Sequence, residues 1–429
     1  MRTKIYYYGD HVPNVFPYKH SDPAGVMPGF DYDVTDEMVF LKLNVKGGKI
    51  VVPGGVKYRV LVLPDHKVLS LPVLEKLETL VKEGATVLGH KPAKMVSLMG
   101  GAEAQKTFIE LCYKIWGEAT SEKGERSYGK GKVVWGMSAR EYLLSKGIPA
   151  DFDVLENDSK TDFDFIHYKI GESDVYFVTN QTTERHKINA RFRVSGKQPE
   201  LWDALSSEIR NARAFSQEDG LTAVPLTLEP YGSVMVVFNK KISKRKQGTA
   251  QRNYHDYERL MEITGEWTVN FNPEWGGTES VIFPELMDWT KHSDEGIKYY
   301  SGTAVYSKTF NIDFEPQKDK QYFLQLGSVK DVGIAEVKIN GINKGIVWTF
   351  PFRIKITEEL QERDNTMEIK VVNSWHNRVA GDQMTEGEKK YTSTNIRLKH
   401  DFMGRPIDEI PLEPSGLLGP VEILKKNNL

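Results

Sequence analysis

The chain has 429 residues, of which 39% are apolar and 27% charged, and a formal net charge of -2. That length suits about two to four ordinary globular domains, each with its own core. The balanced charge gives no reason to expect nucleic acid. No run approaches the ~20 apolar residues of a membrane span, and the single cysteine, Cys112, rules out an internal disulfide or a cysteine zinc site.

In chain order, residues 1 to about 155 alternate strand and helix signals. TKIYYYG reads as a strand, and KIVVPGGVKYRVLVLP as two strands around Pro53-Gly54-Gly55. Ser70 caps a helix, SLPVLEKLETLVKEG, whose Leu74, Leu77, Leu80 and Val81 share one face and which stops at Gly84. ATVLGH is a buried strand. FIELCYKIW is an amphipathic helix that makes Cys112 a small core hydrophobe. KVVWG is a strand, and SAREYLLSKG is a helix between Ser138 and Gly147. Strand-helix repetition with short connections predicts a parallel sheet flanked by helices, flavodoxin-like in broad class. Residues 160–239 switch to short alternating runs, DFIHYKI, DVYFVTNQ, INARFRV, LTAVPLTL and SVMVVFN, and predict a small antiparallel β-domain. Residues 240–262, with the basic run KKISKRK and the helix-like YHDYERLMEI, read as a solvated linker. Residues 263–429 hold SGTAVYSKTF, VKINGINKG, PFRIKIT and NTMEIKVVNSWHNR, each alternating apolar and polar. Asn340-Gly341 marks a two-residue hairpin turn.

The order of these last blocks resembles the non-catalytic, galactose-binding-like jelly roll of family 2 glycosidases. Together with YRVLVLP, KEGATVLG, GKGKVVWG, VYFVTNQ, RVSGKQPELWD, PLTLEPYGSVMVVF, DWTKHSDEGIKYYSGTAVY and NSWHNRVAGD, nearly the whole chain resembles the C-terminal half of glycoside hydrolase family 106, the α-L-rhamnosidase-like enzymes. In that family a catalytic (β/α)8 barrel carries the acid and base carboxylates. A barrel needs about 250 residues, and the only α/β stretch here is the first 155 or so. The resemblance therefore implies an ancillary sugar-binding or scaffolding portion, inactive alone, with no catalytic residue in this numbering. Its partners would be a rhamnose-containing glycan and a catalytic barrel domain or chain, with neither nucleic acid nor membrane. The alternatives are a stand-alone glycan-binding module and a structural or oligomerisation protein. MRTKIYYYGD has no apolar h-region of a signal peptide, whereas the resemblance implies a periplasmic or secreted setting if the chain is a fragment.

The candidate chemistry is narrow. Cys112 lies in mid-helix without an elbow glycine, which argues against a glutamine-amidotransferase nucleophile, and no glycine-rich phosphate loop follows a strand. Val87-Leu88-Gly89-His90 and Pro64-Asp65-His66 fall at strand ends, where α/β sheets place ligands, although a ligand-free sheet end is the favoured reading. In HSDEG, His292, Asp294 and Glu295 lie between Trp289 and Tyr299-Tyr300, a mixture of polar anchors and apolar wall suited to a sugar; the competing reading is a capped turn over core aromatics. NSWHNRVAGDQ reads as a rim loop. There Trp375, Asn377 and Arg378 are sugar-binding candidates and Asp382 fixes Arg378 bidentately, or the Arg-Asp pair only orders the loop. Trp348 reads as packing. No DxDxDG loop supports calcium, so no metal and no cofactor are expected.

Overall fold

The computed structural model describes residues 28–63, 68–97, 99–118, 121–155, 163–243, 247–317, 319–330, 333–384, 389–400, 406–407 and 409–427, and the backbone of 4–7. Asp65 and His66 fall outside that set. Two compact units divide the chain, residues 1–253 and 254–429.

The first unit begins with a six-stranded sheet. Its strands are β1 (Lys4–Tyr7), β2 (Tyr32–Thr35), β3 (Val60–Val62), β4 (Thr86–Leu88), β5 (Gly124–Tyr128) and β6 (Gly131–Trp135), in the order β5-β6-β4-β3-β1-β2. All neighbours are parallel except the β5-β6 hairpin at the edge. Alternate residues of these apolar strands feed two cores, because successive side chains point to opposite faces. Leu61, Val87 and Val133 pack under helices α1 (Leu71–Glu83) and α2 (Gly101–Trp116). Val60, Val62, Leu88 and Val134 pack with helix α3 (Ala139–Ser145). The predicted caps form: the Ser70 hydroxyl accepts from Val73 N, Gly84 turns out of α1 at φ +124°, and Ser138 and Glu141 exchange both capping-box bonds.

Besides a small three-stranded antiparallel sheet (Asn44–Lys46, Lys49–Val51, Lys57–Tyr58) and the parallel pair Val68–Leu69 with Lys94–Met95, this unit holds two antiparallel sheets. With β7 (Phe152–Leu155), β8 (Phe163–Ile170), β9 (Ser173–Asn180), β10 (His186–Phe192), β11 (Lys197–Trp202), β12 (Ile209–Asn211), β13 (Ser216–Glu218), β14 (Leu221–Leu228) and β15 (Ser233–Lys241), the orders are β7-β10-β14-β13 and β8-β9-β15-β11-β12. Phe152, Tyr176, Phe192 and Phe238 form an aromatic core with centroids 4.9–6.0 Å apart.

Beside that core lies a buried charge network. His167 stacks on Tyr176 (4.0 Å, 9°) and reaches Asp151 Oδ2 (3.0 Å) through Nδ1 and Asp174 Oδ1 (3.2 Å) through Nε2. Arg193 pairs with Asp151 (3.0 Å) and Lys197 with Asp174 (2.6 Å). With a carboxylate at each ring nitrogen, both nitrogens must donate, which selects the imidazolium. Burial alone would depress its pKa, but the two aspartates outweigh burial and hold it above the ordinary 6.5. Burial likewise opposes ionisation of Asp174, yet His167 and Lys197 pull its carboxyl down to about 2. Asp151 also joins separate segments, donating its N–H to Gly29 O and accepting from Arg193 N.

The second unit is all antiparallel in its two main sheets. Its strands are β16 (Tyr257–Glu262), β17 (Trp267–Asn270), β18 (Val281–Phe283), β19 (Thr303–Phe310), β20 (Tyr322–Gln325), β21 (Ile334–Ile339), β22 (Ile342–Val347), β23 (Arg353–Lys355), β24 (Asn365–Val372) and β25 (Glu422–Lys426). Sheets β16-β25-β20-β23 and β18-β17-β19-β24-β21-β22 share one core that includes Trp267, Tyr306, Tyr322, Leu324, Val337, Ile369 and Ile423. The helix-like YHDYERLMEI instead forms strand β16, because its partner β25, more than 150 residues away in sequence, supplies a ladder that no local periodicity reveals. Asn340 and Gly341 turn the β21-β22 hairpin with φ +50° and +77°, as a two-residue turn with both central residues left-handed requires.

The sign of the His167 effect is fixed. A pKa raised above 6.5 contributes stability in full below that pH and loses it as pH rises through the folded value. Thermal unfolding followed by circular dichroism should therefore show wild type exceeding His167→Gln most below pH 6.5, with the gap closing as pH rises above it. A gap that is constant or grows with pH contradicts the imidazolium assignment.

Candidate functional site at one rim of the second unit

Strands β17 and β24 are both antiparallel to β19 between them, so their C-terminal ends emerge on the same side of the sheet. The two segments flagged in the sequence meet there with a third. After β17 the chain makes a tight turn, Asn272-Pro273-Glu274-Trp275-Gly276. The Asn272 side chain caps it by accepting from Glu274 N (2.9 Å), and Gly276 leaves it at φ +82°. After β24 the chain enters helix α4 (His376–Met384). Trp275 and Trp375 come into edge-to-face contact, centroids 5.0 Å apart at 71°, yet stay 40% and 48% exposed.

The HSDEG segment braces the first turn. Asp294 Oδ2 accepts from the Thr278 hydroxyl (2.6 Å), Oδ1 accepts from Gly296 N (2.7 Å), and Gly296 lies so close to Gly276 O that a Cβ would stand 2.5 Å from it. The bonds from Thr278 and Gly296 hold the Asp294 carboxyl below its usual range despite partial burial. His292 stacks on Phe283 and its Nδ1 accepts from Asp294 N (3.0 Å). Glu295 is exposed in the first turn of a four-residue helix.

Trp289 is fully buried. Its Nε1 donates to Tyr306 Oη (2.6 Å), and its ring packs against Phe271 and Tyr300. It presents no face to solvent, so it does not offer the stacking face expected from sequence.

The expected loop at NSWHNRVAGDQ is helical from His376 onward, with an Arg-Asp pair at i,i+4 along it. Arg378 Nε donates to Asp382 Oδ1 (3.1 Å), with both side chains buried. Asp382 Oδ2 accepts from Tyr391 N (2.9 Å), Thr392 N (2.6 Å) and the Thr392 hydroxyl (2.7 Å). The Arg378 guanidinium lies between the Tyr299 and Tyr391 rings, 5.9 and 4.9 Å from their centroids. The Arg378 contact is single rather than the bidentate one expected, because the second carboxylate oxygen is taken by the 391–392 backbone. Asn377 is also consumed internally: Nδ2 donates to Glu413 O and Ser415 Oγ, and Oδ1 accepts from Glu413 N. Asn377, Arg378 and Asp382 therefore brace the rim, while Trp275, Trp375 and Tyr391 line it. Tyr391 lies against Gly276, where a Cβ would stand 2.7 Å from its ring. Trp275 and Tyr391 escaped the sequence reading, one inside a turn motif and the other in a polar run without periodicity.

Chemically, the rim offers aromatic surface with polar neighbours. Asp294 and Asp382 have their oxygens committed, so they do not form the pair of free carboxylates about 5 to 9 Å apart that glycoside hydrolysis requires. In the first unit, a cavity of about 600 Å3 opens beyond β4 and β6, lined by His90, Lys91, Phe108, Cys112, Glu122 and Trp135. Lys91 is tied to Gly117 O (2.7 Å) and burial pushes the Cys112 thiol up to about 11, so it holds no activated nucleophile. Among the described residues, no group of three or more His, Cys, Asp or Glu is arranged to hold a metal.

The architecture, mostly β with few helices, is that of a rhamnosidase-type glycoside hydrolase. The structure of a rhamnosidase from Novosphingobium sp. PP1Y matches 99% of this chain with a TM-score of 0.77 and 30% identity. The family model for alpha-L-rhamnosidase matches residues 3–216. The chain is a glycoside hydrolase family member, and the family that matches residues 3–216 is family 106. A Formosa agariphila protein named "Putative beta-glucuronidase" is 24% identical over 630 residues, covering 92% of this chain. This chain spans 39% of the Novosphingobium rhamnosidase and 53% of the Formosa protein.

Replacing Arg378 with Met strands the Asp382 carboxylate in a buried site. Urea unfolding should show a loss of about 3 to 5 kcal/mol, and limited proteolysis should cut first near 389–392. A loss below about 1 kcal/mol would mean that the pair is only a surface contact.

Proposed function

We propose that this chain is the ancillary, carbohydrate-binding and scaffolding portion of an α-L-rhamnosidase-like glycoside hydrolase, with hydrolysis residing in a barrel outside it. In this reading residues 1–155 are a flavodoxin-like domain and 263–429 a galactose-binding-like jelly roll acting on a rhamnose-containing glycan. One observation carries it: the chain aligns along its whole length with less than half of a rhamnosidase, while its largest parallel array among the described residues is five strands rather than a closed barrel of eight. The strand order β2-β1-β3-β4-β6 supports the flavodoxin-like assignment.

The scaffolding role has separate support. Ile166, Phe177, Met235, Trp202 and Ile209 are successive cross-strand partners over the β8-β9-β15-β11-β12 sheet, with Ile166, Phe177 and Ile209 42%, 37% and 61% exposed. A row of that width suits a packed neighbour more than water, and we assign it to the catalytic portion.

The purified chain should not turn over an aryl α-L-rhamnoside, and calorimetry should detect millimolar or tighter binding of rhamnose-containing oligosaccharides. Turnover would overturn the ancillary reading; absence of binding to any glycan would leave only the scaffold.

A further inference from the structure

We propose that the cavity beyond β4 and β6 in the first unit is a binding site for a small aromatic anion with a flat ring body. The proposal is independent of the rim and of the carbohydrate reading. The cavity's volume of about 600 Å3 falls in the range of small-molecule sites. Strands β4 and β6 are parallel neighbours, so the segments that follow Leu88 and Trp135 leave on one side of the sheet. That is the side where α/β sheets place ligands. The sequence favoured a ligand-free end at His90, whereas the structure opens a cavity there. The cavity lies away from the β1-β3 switch point, so its lining rather than its position carries the argument.

The buried part of the lining is apolar, and its polar atoms are already committed. Phe108, Cys112 and Trp135 are 1%, 2% and 8% exposed. Trp135 Nε1 donates to Ser121 O (3.0 Å) and the Cys112 thiol to Pro92 O (3.7 Å). The Trp135 ring is pinned on Gly124, its cross-strand partner, where any side chain would strike the indole. A ring held this way needs little ordering when a ligand arrives. Two aromatic rings and a polarisable thiol suit a flat aromatic body, and exposed Ile109 extends the apolar lining to the mouth. The charge in the wall selects the sign. Lys91 is half-buried, and of the three N–H groups of its ammonium one goes to Gly117 O (2.7 Å). Burial raises the Cys112 thiol and the Lys91 charge opposes that rise, so the positive field of Lys91 reaches the buried lining. Glu122, the carboxylate of the lining, stands at its exposed edge, where solvent screens it. A cation entering beside Lys91 is repelled, whereas an anion gains a charge-assisted hydrogen bond.

The test titrates the intact chain with 8-anilinonaphthalene-1-sulfonate and with its uncharged relative N-phenyl-1-naphthylamine, read by dye fluorescence and calorimetry. The sulfonate should bind at one site per chain, about tenfold tighter than the neutral dye, as one hydrogen bond to a charged group provides. Lys91→Met should remove that tenfold advantage and leave the neutral dye unchanged, while Lys91→Arg should keep it. Ala93→Trp, at an exposed position of the lining, should block both dyes. Phe177→Ser, on the exposed apolar row of the β8-β9-β15-β11-β12 sheet, should change neither. Unchanged far-ultraviolet dichroism and melting keep the variants interpretable, and the Lys91 pair decides the sign even where Ala93→Trp does not fold. Equal affinity for the two dyes overturns the anion assignment. Binding that survives Ala93→Trp, or that is lost in Phe177→Ser, overturns the site. No binding of either dye overturns the proposal and leaves the carbohydrate reading untouched.

Discussion

The Asp382 carboxylate is the constraint around which the rim is organised. It is 3% exposed and accepts from Arg378 Nε, two backbone amides and a threonine hydroxyl. A buried carboxylate is costly unless its lone pairs are occupied. Four donors from a helix and a segment nine residues further on meet that requirement only in one arrangement. The pair thus acts as a specificity device. It sets where helix α4 ends relative to Tyr391, and so where the aromatic surface stands relative to Trp375 at the start of the same helix.

The first unit solves a related problem with the opposite charge at the centre. His167 is cationic because two carboxylates face it, and Arg193 and Lys197 close the network at its outer ends. In both units the buried ions tie segments that hydrophobic packing alone would leave free to slide, since apolar contacts are non-directional. At Asp151 the tie reaches across sequence to Gly29, joining the parallel-sheet part of the unit to the antiparallel part. Such networks set geometry more than they raise stability, because desolvation consumes most of the Coulomb gain.

These facts divide what was legible in the sequence from what was not. Helix caps at Ser70 and Ser138, the left-handed Asn340-Gly341 turn and the alternation of LTAVPLTL are local, and each is written in adjacent residues. Strand β16 was misread because its pairing is non-local. NSWHNRVAGDQ was misread as a loop because its residues carry little helix propensity and its Arg-Asp pair looks, on paper, like two solvated charges. HSDEG and NSWHNR were both recognised as unusual, but as ligand contacts. The structure gives most of their polar atoms to internal hydrogen bonds and brings the two motifs to one rim. Trp289 shows the same limit: sequence cannot say which side of a turn an indole faces, and here it faces Tyr306.

The distribution of the eight tryptophans turns that limit into an argument. Trp116, Trp267 and Trp289 are fully buried, and Trp116 and Trp289 each have their N–H satisfied by a protein oxygen, as core indoles require. Trp275 and Trp375 are neither buried nor isolated. Leaving two large apolar rings half in water forgoes on the order of 1 to 3 kcal/mol each relative to full burial. The fold nonetheless keeps them there, with a positive-φ glycine after one and a helix start after the other. A surface that is aromatic and exposed at once is poorly explained by stability, because stability would favour burying or replacing the rings. A partner surface or ligand that completes their desolvation would account for it.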